Sequence, residues 1–178
     1  LYTWDHDPQG RPKTQIWYEK IHDNSGNWYW AMPVHEALTF RLGREPYVSF
    51  MPADKLHLHH YPDVSKSRGQ YLKIMERASQ DEPDSYMVNY YYGRELMYYN
   101  RWQDSINQLE RVVKMPNPVM ANQAAAYGFL GRCYEKLKKP LDAEINYIRS
   151  TGFTTGVREP YINLMEFYYR EHRWYSLI

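Results

Sequence analysis

The chain carries a single cysteine, Cys133, in 178 residues. One thiol cannot close an intrachain disulfide, and cysteine-based zinc sites are excluded with it. An excess of one charge is also missing. There are 22 Lys and Arg against 21 Asp and Glu, a net of +1. A general positive coat for nucleic acid is therefore not expected. The apolar runs are only a few residues long, so no membrane span is expected. A charged leader with an apolar signal core is absent from the start, where Leu1 stands in place of Met. The cytoplasm is the expected location, and the chain reads as an excised piece or a partial reading frame.

Aromatic rings are what the chain has in excess. Six Trp, 19 Tyr and five Phe make 17% of it. The mean hydropathy of −0.79 understates the core, because Tyr and Trp score as mildly polar yet bury large areas. This composition argues against disorder and for a wet, aromatic-rich core or groove.

The chain changes character near residue 62. Residues 1–62 are rich in β-formers and turn signals. Leu1–Trp4 reads as a strand, and Asp7-Pro8-Gln9-Gly10 and Asn24-Ser25-Gly26-Asn27 read as turns. The expectation is a hairpin of Ile16–His22 against Trp28–Met32, then mostly loop through Pro33, Pro46 and Pro52. A further short strand is expected at Leu56–His60. Residues 63–178 turn helical. Helices are expected at 65–79, 84–99, 102–114, 119–137, 140–150 and 159–171, with a last start at Trp174. The short breaks between them call for antiparallel helix hairpins.

An internal repeat organises the helical part. Tyr127-x2-Leu130-Gly131-x2-Tyr134 follows the tetratricopeptide pattern, with Ala143 twelve residues after the glycine and Tyr147 four later. Asn89-x2-Tyr92-Gly93-x2-Leu96 precedes it, with Ser105 and Leu109 in the same places. Tyr161-x2-Leu164-Met165-x2-Tyr168 follows. The offsets are 131−93 = 38 and 165−131 = 34, against a tetratricopeptide period of about 34. Corners align at Asn100-Arg101-Trp102, Lys138-Lys139-Pro140 and His172-Arg173-Trp174. Close helix crossings are expected where Gly93 faces Ser105 and Gly131 faces Ala143. Met165 and Leu177 replace the small pair in the third unit, which predicts looser packing or an end cap. The expected fold is mainly α: a tetratricopeptide-like α-α superhelix preceded by a small β-rich segment. Such repeats bind or scaffold.

Several short phrases, in order, resemble a known family. Trp28-Tyr29-Trp30-Ala31-Met32-Pro33-Val34-His35-Glu36-Ala37-Leu38 resembles the W-x-x-P-V-H-E-x-L stretch of family-2 (GT-A) glycosyltransferases. Leu58-His59-His60-Tyr61-Pro62-Asp63 is similar to the end of their catalytic domain. Lys66-Ser67-Arg68-Gly69-Gln70-Tyr71-Leu72 is similar to the opening of a linker helix. Tyr92-Gly93-Arg94-Glu95-Leu96 and Arg158-Glu159-Pro160-Tyr161 continue the match into the bacterial branch with tetratricopeptide-like helices. The resemblance implies the C-terminal part of such an enzyme, with residues 1–62 as a remnant of its catalytic domain and 63–178 as its repeat domain. The nucleotide-sugar half, with its Asp-x-Asp metal motif, would lie before residue 1. Asp5-His6-Asp7 has that spelling but reads as a turn by chance.

The resemblance places His35 and Glu36 on the acceptor side of the cleft as catalytic candidates. A carboxylate beside an imidazole can act as general base on a hydroxyl. It makes His59 the candidate metal ligand. His57 and His59 would share one face of a strand. No cofactor is expected in this chain alone, and Mn or Mg only in an intact enzyme. The chain is expected to be inactive by itself. Its helices would scaffold or bind an acceptor, a protein or a peptide. The alternative is a stand-alone tetratricopeptide-like interaction module. Homodimerisation is a further expectation, through a sheet edge and a face carrying Trp17, Trp28 and Trp30. Tyr90, Tyr91, Tyr92, Tyr98, Tyr99, Tyr168 and Tyr169 cannot all face one way on helices, and the default is a division between core and surface. Cys133 is expected to pack rather than react.

Overall fold

The computed structural model describes residues 1–18, 21–61, 63, 65, 69–153 and 156–177. The chain divides into two compact units, Leu1–Gly69 and Gln70–Ile178. The division falls a few residues after the change of composition at 62.

The first unit holds five short strands: β1 (Tyr2–His6), β2 (Pro12–Ile16), β3 (Trp28–Ala31), β4 (Ala37–Phe40) and β5 (Leu58–His59). They form two sheets, one ordered β2-β1-β5 and one β3-β4. This corrects the expected hairpin. Ile16 ends β2, which pairs antiparallel with β1, and Trp28–Ala31 pairs with β4. Residues 19 and 20 of the expected strand lie outside the described residues. The turn at 7–10 decides the pairing. Asp7 Oδ1 accepts from the backbone N–H of Gln9 and of Arg11, each at 2.9 Å. Gly10 takes the left-handed conformation at φ 79° and bonds back to the Asp7 carbonyl at 2.9 Å. That side-chain-closed turn folds β2 onto β1 at once. The turn near Ser25 is closed by Asp23, whose Oδ1 accepts from Ser25 N at 3.0 Å. The stretch read as loop after Pro33 contains β4 as well, entered through left-handed Met32 (φ 67°) and His35 (φ 61°). β5 runs parallel to β1, with Tyr2 opposite Leu58 and Thr3 opposite His59. A parallel partner needs a long crossover, and the forty-odd residues after β2 supply it.

The second unit holds α1 (Tyr71–Asp81), α2 (Tyr86–Tyr98), α3 (Trp102–Val112), α4 (Met120–Lys136), α5 (Pro140–Thr151), α6 (Glu159–Arg170) and a final 3-10 turn (Trp174–Leu177). Five of the six helices fall within a few residues of the periodicity. The first begins later than residue 65, and Lys66, Ser67 and Arg68 lie outside the described residues. Local chemistry sets the boundaries. The Ser85 side chain caps α2 at Val88 N, and Pro140 and Pro160 sit in the first turns of α5 and α6. Asn100, Lys138 and His172 are all left-handed, at φ 59°, 57° and 55°. In each corner the next residue's N–H bonds five residues back, Arg101 to Leu96, Lys139 to Tyr134 and Arg173 to Tyr168. This is one C-cap motif used three times.

Each helix packs on the next, and α2 also touches α4, and α4 touches α6. Cross-contacts give the directions. Gly93 meets Ser105 while Asn89 meets Gln108, so α2 and α3 are antiparallel. Gly128 lies beside Asn163 and Glu135 bonds Arg170, so α4 and α6 run parallel. The core is built from Tyr90, Met97, Ile106, Leu109, Val112, Leu130 and Cys133, with a second cluster of Ala143, Tyr147, Phe167 and Tyr168.

The crossings are as close as the glycines imply, but the contact lies one turn further along. A Cβ on Gly131 would stand 2.8 Å from the Tyr147 ring, and one on Gly93 2.7 Å from Leu109 Cδ2. Ser105 keeps its expected place, since its hydroxyl donates to the Gly93 carbonyl at 2.8 Å. In the third unit Met165 is 56% exposed. The Leu177 side chain lies outside the described residues.

The tyrosine surplus has a structural use. Tyr134 on α4 donates to Glu110 on α3 at 2.7 Å, and Tyr168 on α6 donates to Glu144 on α5 at 3.1 Å. Both partners shift by 34 residues between the two bonds (134 to 168, 110 to 144). Tyr147 donates to Glu135 at 2.5 Å, joining α5 to α4. A tyrosine ring fills the gap between helices while its hydroxyl reaches a carboxylate at the rim. Burial pushes the phenols of Tyr86, Tyr90 and Tyr134 up to about 12.

Candidate functional site

Histidines gather on one face of β1 and β5. The His57 and His59 ring centroids lie 4.1 Å apart, as alternation along a strand requires. His6 joins them, with its Nε2 3.1 Å from His59 Nδ1. Residues 3 and 6 of a regular strand would face opposite ways. The register of β1 against β2 shifts between Thr3 and Asp5 and again between Asp5 and His6. That irregularity turns His6 onto the face of Thr3, which bonds His57 Nε2 at 2.7 Å.

The rings are held from several sides. Gln15 Nε2 donates to the Thr3 hydroxyl and lies 3.2 Å from His57 Nε2, so that nitrogen meets donors and must be bare. Lost hydration, then His59, the Leu1 amine and His6, hold His57 below the usual imidazole value. Tyr61 stacks on His6 at 4.6 Å and 8°. His60 points to the other face, where Nδ1 meets the Trp4 carbonyl at 3.0 Å and the ring stands among Tyr2 and Trp4.

The Asp-x-Asp spelling is used locally. Asp5 Oδ1 accepts from Thr14 N at 2.7 Å, and its carboxyl is held below the usual range first by the Thr14 side chain, with this backbone bond adding to it. Asp7 is occupied by its turn and by Arg11 Nε at 2.6 Å. Among the described residues no group of three or more His, Cys, Asp or Glu converges as a metal site. Asp5 and Asp7 are thus both engaged by neighbouring donors, Thr14 and Arg11.

His35 and Glu36 lie elsewhere, on the connection between β3 and β4. Val34 is buried and anchors it, His35 is half-buried, and Glu36 is exposed. The left-handed backbone of His35 is uncommon for a residue with a Cβ. Among the described residues, β3 and β4 pack on each other and not on β1, β2 or β5. The structure thus brings His59 to His57 and His6, but not to His35 or Glu36. His6 was missed in sequence because its turn-like neighbours masked it, and nothing local announces the register shift.

The helical unit offers a groove. A cavity of about 350 Å³ opens between α4 and α6. Ala121, Ala124, Ala125 and Gly128 form its small-residue floor, with Phe129, Arg132, Glu159 and Asn163 around it. Ser150 closes the bottom by donating to the Ala124 carbonyl at 2.7 Å. The tyrosines divide as expected: Tyr90 and Tyr168 are buried, Tyr98, Tyr99 and Tyr169 exposed. Cys133 is buried against Ser105, and burial pushes its thiol up, away from reactivity.

No protein-family model matches the chain, and no curated protein matches it. No helix among the described residues is long and apolar enough to cross a membrane.

Proposed function

We propose that the helical unit is a tetratricopeptide-like docking module that takes an extended peptide or protein segment in the groove between α4 and α6. The observation that carries this reading is the 34-residue correspondence of the Tyr134–Glu110 and Tyr168–Glu144 bonds, together with the parallel course of α4 and α6. Stacked helix pairs related this way leave a lined channel between every second helix. The groove's small floor admits a backbone, and Arg132 and Asn163 can bond its carbonyls or carboxylates. Peptides selected from a displayed library on the full chain test the reading. Selected peptides should lose binding to Gly128→Trp, which fills the groove, with helicity retained. Peptides that ignore Gly128→Trp would overturn it.

The ordered phrases from Trp28 to Tyr161 support a wider proposal, that the module belongs to the C-terminal part of a glycosyltransferase-like protein and recruits its acceptor. In that proposal His35 and Glu36 border the acceptor, and His59 contributes to a metal site whose carboxylates come from elsewhere in an intact enzyme. The chain alone then binds no nucleotide-sugar. Calorimetry with UDP- and GDP-sugars plus manganese checks this. Micromolar saturable binding, lost in His59→Ala, overturns the claim of inactivity. Without the wider proposal, the docking module stands by itself.

A further inference from the structure

We infer that His6 and His59 form a two-imidazole binding site for a borderline transition-metal ion of the Zn2+ type, not for the hard Mn2+ or Mg2+ that the transferase resemblance implies. The inference rests on the β1–β5 geometry alone and stands whether or not the transferase reading does. His6 Nε2 and His59 Nδ1 face each other at 3.1 Å. Two nitrogens bound at ~2.0–2.1 Å on adjacent positions of one ion lie about 3.0–3.4 Å apart. The pair therefore stands near chelating separation, and a small rotation of a ring within its own plane admits the ion. In the hydrogen-bonded pair one ring carries its hydrogen on the facing nitrogen. Metal binding moves that hydrogen to the ring's other nitrogen by exchange with water, so both rings stay neutral and both lone pairs reach the ion.

The surroundings favour this pair over its neighbours. Tyr61 stacks on His6 and fixes its plane. His57 Nε2 is engaged by Thr3 at 2.7 Å and faces Gln15, so it buttresses His59 without competing for the ion. Asp5 and Asp7 both interact electrostatically with His6. Their carboxylates are held by Thr14, Gln9 and Arg11. The donor set on offer is nitrogen only, which selects against Mg2+ and Mn2+. Two protein ligands leave the remaining positions to water.

The test uses the full chain and metal chlorides alone. Calorimetry should show one Zn2+ per chain, with Mn2+ and Mg2+ weaker by about a hundredfold or more. His6→Ala and His59→Ala should each weaken Zn2+ by about tenfold or more, while His22→Ala leaves it unchanged. Should a variant fail to fold, the parent decides by NMR: Zn2+ should shift the imidazole signals of His6 and His59 before those of the other histidines. Equal affinity for Mn2+, Zn2+ binding that survives both substitutions, no Zn2+ binding, or His57 responding in place of His6 would each overturn the assignment.

Discussion

Gly93 and Gly131 occupy equivalent places, yet their neighbours make them unequal. A methyl on Gly131 meets the Tyr147 ring at 2.8 Å, and that ring is pinned by its bond to Glu135. A methyl on Gly93 meets the end of Leu109, which has rotamers to give. Gly131→Ala should therefore destabilise by about 1–3 kcal/mol and Gly131→Leu by more, as expected of overpacking. Gly93→Ala should cost less than Gly131→Ala. Thermal melts followed by circular dichroism decide the order, and an unchanged melt for Gly131→Leu would show that the crossing is not there. Histidine tells a related story at this scale. His57 and His59 share a face because strands alternate, whereas His6 reaches them only through the register shift in β1.

Three of the described helices, α2, α4 and α6, are stopped by left-handed corners without glycine. Lys138 sits at φ 57° with a side chain that disfavours it. Lys138→Gly should stabilise the α4–α5 hairpin by about 0.5–1 kcal/mol, the relief of left-handed strain less the entropy of a freer unfolded chain. Denaturant titration reads this as a higher midpoint at unchanged slope. Between helices the struts are tyrosines whose phenols burial raises to about 12, as at Tyr86, Tyr90 and Tyr134. A folded value above the unfolded one means the folded state binds the proton more tightly. The contribution is complete below pH ~10, the unfolded value, and is lost as pH rises toward about 12. The phenolate absorbance of Tyr134, read as the difference between the parent and Tyr134→Phe, should therefore rise together with the loss of helicity in that window. That difference appearing near pH 10 with helicity intact would contradict the burial of the ring.

The chain divides into two compact units. Among the described residues, the helical unit has two apolar clusters. Residues 70–178 expressed alone should keep their helical spectrum and a cooperative melt, and a molten spectrum would show that the first unit is needed. Of the tryptophans expected on a self-associating face of the first unit, Trp17 and Trp30 are exposed and Trp28 is half-buried; Trp4 is exposed as well, and the β2 edge is exposed along all five residues. Self-association is the expected outcome of such a surface. Pro12 and Lys13 blunt the edge itself, which turns attention from strand pairing to the aromatic face. Sedimentation at micromolar concentration checks this, and a clean monomer of 21.6 kDa would end the idea.

What the sequence determined by itself was local. Helix extents follow from a 3.6-residue period, from Ser85, Pro140 and Pro160 at the starts, and from the repeated corners, all within a few residues of one another. Gly93 and Gly131 were legible as close crossings because a glycine amid large residues has few other uses in a helix. Tertiary structure decided what depends on distant partners. Whether β2 pairs with β1 or β3 turned on one aspartate closing one turn, since both candidate strands are rich in aromatic residues. β5 found β1 across fifty residues of chain. A one-residue change of register reverses every side chain beyond it, so the face of His6 could not be read from alternation. The donor pair with His59 exists only because that reversal happened.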